Sequence, residues 1–128
     1  MEEINIAVVD DNNFDSRRLV HAVKKFFDES GLNLDLKIEI FNNGEEILER
    51  FEPGNFQIVF MDIIMKDLTG IETAEKLRGF DNEVLIVFTT TSRDFAFDAF
   101  PIHSFDYILK PYAQERINYV MNEAQKIL

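Results

Sequence analysis

Four apolar runs in this chain stop on side chains that can do chemistry. Ile4 to Val9 stops on Asp10-Asp11, Phe56 to Met61 on Asp62, Val84 to Phe88 on Thr89-Thr90-Thr91, and Phe105 to Leu109 on Lys110. From Ile58 to Met61 the run is apolar at every position, the mark of a strand buried on both faces in a parallel sheet. A carboxylate at the carboxyl end of such a strand stands where open α/β sheets place their ligands, so Asp62 is the candidate reactive residue. Asp10 and Asp11 add two more carboxylates. Anions crowded together repel strongly unless a cation lies among them. The donors are all oxygen, which selects a hard ion, and Mg2+ suits a site of few carboxylates, several waters and a phosphate oxygen.

The rest of the chain must position these groups. Asn12 and Asn13 can cap a helix, and Leu19, Val20, Ala22, Val23, Phe26 and Phe27 recur behind them at helical spacing, as far as Ser30-Gly31. Leu34, Leu36, Ile38 and Ile40 alternate with charged residues, which predicts a strand with one wetter face at a sheet edge. A short helix follows Asn42-Asn43-Gly44 and stops at Pro53-Gly54. After Asp62, Thr69 and Glu72 fit a capping box for a helix buried through Ile71, Ala74 and Leu77. Phe95, Ala96, Ala99 and Phe100 predict a short helix closed by Pro101, and Ile117, Val120, Met121, Ala124, Ile127 and Leu128 the stripe of a last one. Five βα units in succession imply a parallel sheet with helices on both faces, joined by right-handed crossovers. In the flavodoxin-like order 2-1-3-4-5, the ends of strands one and three adjoin at the switch point, with four and five beside them. Asp10, Asp11, Asp62, Thr90 and Lys110 then share one crevice.

Length and composition limit the alternatives. The 128 residues form one domain, 1–128, long enough to bury a core without metal or disulfide staples. With no cysteine there is no thiol nucleophile and no thiolate zinc site. A net charge of −11 opposes contact with phosphate backbones and anionic membranes, so direct nucleic-acid binding by this chain is not expected. No apolar run reaches the roughly 18 residues of a membrane span, and Met1-Glu2-Glu3 is unlike a basic signal-peptide start. A cytoplasmic protein is expected.

Val8-Val9-Asp10-Asp11, Met61-Asp62-Ile63 with Gly70-Ile71-Glu72, the Thr90 strand end and Tyr107-Ile108-Leu109-Lys110-Pro111 together resemble the receiver domain of two-component response regulators. The resemblance covers essentially the whole chain. The segment from Phe95 to Pro111, with Ala99-Phe100 and Phe105-Asp106-Tyr107, is most similar to receivers attached to LytTR-type DNA-binding domains. This implies that Asp62 accepts a phosphoryl group from a partner histidine kinase. It implies Mg2+ held by Asp11 and Asp62, by Asp10 largely through water, and by the Ile64 backbone carbonyl. Lys110 is expected to pair with Asp62 and then with the phosphoryl group, Thr90 to donate its hydroxyl to it, and Tyr107 to move as Thr90 moves. The Lys110–Pro111 bond is expected to be cis. The implied output is altered protein contact, homodimerisation above all, controlling a LytTR-type domain outside this chain. The alternative is a stand-alone receiver that works by protein contact without DNA output.

Each residue alone also has a plainer reading. Asp10-Asp11 can cap the first helix as readily as bind metal, and a lone Lys110 reads as a solvated lysine. Thr90 is singled out from Thr89 and Thr91 by the family pattern only. His21 and His103 lack metal-ligand spacing and read as bystanders. Phe95, Phe97 and Phe100 cannot all face inward, which points to a dimer or partner surface. Lys66, Thr91, Ala113 and Gln114 depart from the family pattern, and none of them removes a reacting group. A phosphohydrolase with an Asp nucleophile carries a second carboxylate two residues on, where this chain has Ile64. A nucleotide-binding domain lacks its glycine-rich loop after the first strand. The domain is therefore expected to be a phospho-acceptor and not an enzyme acting on a separate metabolite.

Overall fold

A computed structural model describes residues 2–128, apart from the Phe100 side chain. Branched and aromatic residues build the strands β1 (Glu2–Val9), β2 (Leu34–Phe41), β3 (Ile58–Asp62), β4 (Leu85–Thr90) and β5 (Asp106–Leu109). Between and after them lie α1 (Asn13–Ser30), α2 (Gly44–Arg50), α3 (Gly70–Phe80), α4 (Ala96–Ala99) and α5 (Gln114–Ile127). The strands form one parallel sheet in the order β2-β1-β3-β4-β5. This is the flavodoxin-like arrangement expected from the alternation of elements.

Every residue of β3 and of β4 is buried, as their unbroken apolar runs require. β2 pairs on one side only and shows the alternating burial of an edge strand. Ile6, Val8, Ile58, Phe60, Val87 and Ile108 pack against α1 and α5 through Leu19, Val23, Ile117 and Met121. Val9, Met61, Ile86 and Phe88 pack on the other face against Ile47, Ala74, Leu77 and Ile102. Two apolar layers thus sandwich the sheet and leave its carboxyl edge to polar residues.

The helix starts follow from local chemistry. Asn12 caps α1, its side chain accepting from the Asp15 N–H at 3.1 Å, and Gly31 closes the helix with φ 72°. Thr69 and Glu72 form the expected capping box at α3. Ala113 offers α5 no side-chain cap. The expected helix around Phe95 does not close at Pro101. It shortens to Ala96–Ala99 and runs on as a 3-10 turn over Phe100–Ile102. Proline lacks only a donor N–H and its fixed φ suits a first turn, so it is tolerated at this point. Arg78 braces the region, its guanidinium donating to the carbonyls of Asp81, Val84, Ile102 and His103 at 2.6–3.2 Å.

Candidate phospho-acceptor site

β1 and β3 are neighbours in the sheet, so their last residues meet. Among the described residues, carboxylate oxygens of Asp10, Asp11 and Asp62 lie within 4.8 Å of one another. Asp62 closes β3 and is only 4% exposed. Asp10 is buried and Asp11 exposed. The capping alternative for this pair is resolved by Asn12, which takes that role at α1. Asp10 Oδ1 instead accepts from the Asn12 N–H at 2.9 Å, and Asp11 Oδ2 faces the Lys66 N–H at 3.4 Å.

Lys110 enters from the end of β5, at a cis Lys110–Pro111 bond. Its expected partner is not its nearest. Nζ lies 2.9 Å from Asp10 Oδ2, 2.9 Å from Asp15 Oδ2 and 3.6 Å from Asp62 Oδ2. The ammonium is shared, and two other carboxylates hold it more closely than Asp62 does. Strand alternation explains the grouping. Asp10, Asp62 and Lys110 share the parity of Val8, Phe60 and Ile108, which face α1 and α5. The first turn of α1 therefore brings Asp15 to the same place. Sequence reasoning missed Asp15; its signal was an acidic residue in the first turn of a helix that follows Asp10-Asp11.

Electrostatics mark Asp62 as the perturbed group. Burial raises its pKa, the Asp10 charge adds to that, and Lys110 and the Ile64 N–H only partly offset them, so it is pushed up to about 7. For Lys110, burial pulls downward, but hydrogen bonds to Asp10 and Asp15 and the Asp62 charge carry it above its ordinary value. Three oxygen donors with an excess of negative charge fit a hard divalent cation.

Thr90 and Tyr107 occupy the opposite parity, with Phe88 and Met61, facing α3 and the 3-10 turn. Thr89 faces α1 and α5 instead, which separates the two threonines. Thr90 is buried, and its Oγ1 accepts from the Ser92 N–H at 3.3 Å. The Tyr107 hydroxyl donates to the Ser92 carbonyl at 2.6 Å, so both residues hold the loop after β4. Gly70 permits the close return of α3 to this edge. A Cβ there would overlap the Asp62 carbonyl oxygen. Ile64, two residues beyond Asp62, is 53% exposed.

A family model described as the response regulator receiver domain matches residues 6–122. The chain belongs to the response regulator receiver family. The receiver is 31% identical over 128 residues to the sensory transduction protein LytT of Oceanobacillus iheyensis, covering 98% of this chain and 50% of that protein. It is 39% identical over 87 residues to the sensory transduction protein LytR of Staphylococcus epidermidis, covering 68% of this chain and 34% of that protein. It thus spans half or less of these relatives. The response regulatory domain of MrkE from Klebsiella pneumoniae superposes with a TM-score of 0.80 at 24% identity, covering 97% of each chain. The likeness to receivers of LytTR-type regulators read from Phe95 to Pro111 agrees with the relatives named LytT and LytR. Among the described residues, no helix is long and apolar enough to cross a membrane.

Proposed function

We propose that this receiver acts in the cytoplasm, where it takes a phosphoryl group from a sensor histidine kinase onto Asp62 and uses it to change a protein-contact surface. The observation that carries the reading is a buried Asp62 at a strand end, with two carboxylates within 4.8 Å and the Lys110 ammonium at 3.6 Å. An Asp62 carboxylate oxygen attacks phosphorus as the P–N bond to the donor imidazole breaks. The electron pair of that bond stays on the ring nitrogen, which takes up a proton. Such transfers depend on positioning and on neutralising charge. Asp11 and Asp62, the Ile64 carbonyl and, through water, Asp10 would hold Mg2+. When bound, the ion supplies positive charge against the carboxylates and the phosphoryl oxygens. Lys110 meets one phosphoryl oxygen and Thr90 Oγ1 another.

Thr90 reaches the phosphoryl group only by giving up its place beside Ser92. Tyr107, tied to the same loop through its hydroxyl, follows. The contacts to phosphoryl favour the shifted arrangement, which is a population shift. The moving surface includes α4, where Phe97 is 92% exposed and suited to a homodimer contact. Relatives about twice as long as this chain support a LytTR-type DNA-binding output beyond this domain.

The test exposes the protein to Mg2+ and phosphoramidate, then measures intact mass and oligomeric state. One phosphoryl increment is expected, absent in Asp62→Asn and much reduced in Asp11→Asn. An increment that persists in Asp62→Asn overturns the reading.

A further inference from the structure

Asp15 is a carboxylate at the reacting centre that the transfer does not use. It sits in the first turn of α1, placed there by the Asn12 cap. Its Oδ2 lies 2.9 Å from Lys110 Nζ, as close as Asp10 and closer than Asp62 at 3.6 Å. An ammonium has three hydrogens. Two of them are engaged by Asp10 and Asp15 at hydrogen-bonding distance. The Lys110 side chain is 9% exposed and that of Asp15 25%, so the contact is shielded from bulk water on the lysine's side.

We propose that Asp15 is a positioning residue that holds Lys110 back from Asp62 and competes with the incoming phosphoryl group for it. The inference rests on the reading of Asp62 as phospho-acceptor. Its chemistry is charge balance. Three carboxylates, Asp10, Asp15 and Asp62, lie within 3.6 Å of a single ammonium, and a fourth, Asp11, adjoins Asp10 and Asp62. Phosphorylation of Asp62 replaces its single carboxylate charge with close to two on the phosphoryl oxygens, about one further negative charge. The phosphoryl group gains the whole strength of the lysine only where no other anion shares it. Asp15 therefore sets a resting clamp, which slows phosphoryl gain and weakens the grip on the group once it is on. Asp10 shares the lysine too, but it also borders the cation site. Asp15 is the member of the set whose contact is with the lysine.

Asp15→Asn keeps the side chain's size and removes the charge, and Asp15→Glu restores it. With phosphoramidate below saturation and Mg2+ present, Asp15→Asn is expected to gain the phosphoryl group faster, by on the order of tenfold. It is expected to lose the group more slowly, with Asp15→Glu returning toward wild type in both. In the metal-free protein, the 15N resonance of the Lys110 ammonium reads the contact without any transfer. Asp15→Asn should move it and Asp15→Glu should bring it back. A helix-capping role for Asp15 predicts lower thermal stability but neither kinetic change. Slower gain in Asp15→Asn, or an unmoved ammonium resonance with unchanged kinetics, overturns the inference and leaves Asp62 as acceptor untouched. A wild-type protein that gains no phosphoryl group removes the underlying reading, and the inference falls with it.

Discussion

Water that attacks a phospho-aspartate is speeded by a neighbouring group that orients it, and under the proposed function the two side chains that would flank its path supply neither acid nor amide. Ile64 is exposed and aliphatic, and Ser92 engages Asp94 through its hydroxyl. Slow loss of the phosphoryl group is expected, and Ile64→Asn should quicken it several-fold by giving the water a hydrogen-bonding partner. Decay followed by mass spectrometry checks this, and equal lifetimes would sink it. Asp62 itself makes a second prediction. With its pKa raised to about 7, the folded metal-free protein holds a proton that the unfolded chain releases near its ordinary value of 3.8. The native state therefore binds more protons between these limits, and stability falls as pH rises through about 7. Asp62→Asn should flatten that fall and raise the melting temperature at pH 8 without divalent cation. Urea unfolding of both proteins across pH 4–8 measures it, and parallel pH profiles would contradict it.

Among the elements, the segment from β4 to β5 is the least regular, and a single side chain from α3 fastens it. Arg78 binds four carbonyls drawn from the α3–β4 connection and from the 3-10 turn and its end. Its removal leaves those acceptors to weaker partners. Arg78→Ala should cost about 2 kcal/mol by denaturant titration, and Arg78→Lys should recover only part of it, since one ammonium cannot reach four directions. An Arg78→Ala protein as stable as wild type would show the brace to be idle. The elements themselves were largely legible in the sequence because their causes are local. Alternation marked β2 as an edge, unbroken apolar runs marked β3 and β4 as central, and Thr69 with Glu72 marked the start of α3. What escaped was non-local. The Asp15–Lys110 contact joins residues 95 apart, and no periodicity reports such a pair. The 3-10 continuation through Pro101 is braced from a different element, by Arg78 donating to the Ile102 carbonyl. Gly70 stood in the family-like motif, yet its reason, the proximity of the Asp62 carbonyl, exists only in the fold.

At the scale of the whole molecule, charge and surface set how the domain meets partners. A net charge of −11 makes two copies repel, so self-association must be driven by a local apolar contact and should strengthen with salt. Phe97 lies at the rim of a 530 Å3 groove between the β3–α3 loop, α3 and α4, which also includes Ile64, Phe95 and Ile71. Beryllofluoride with Mg2+ should shift the protein from monomer to dimer in sedimentation velocity, and Phe97→Glu should prevent the shift while leaving phosphorylation intact. Dimerisation unaffected by Phe97→Glu would place the contact elsewhere. All of this depends on one atom-level claim, that phosphorus is carried by Asp62. Borohydride reduces an acyl phosphate of aspartate to homoserine, so reduction after phosphoramidate treatment, followed by peptide mapping, locates the modified residue. Homoserine is expected at position 62, with Asp10, Asp11 and Asp15 unmodified. Homoserine at any of those three, or at none, would contradict it.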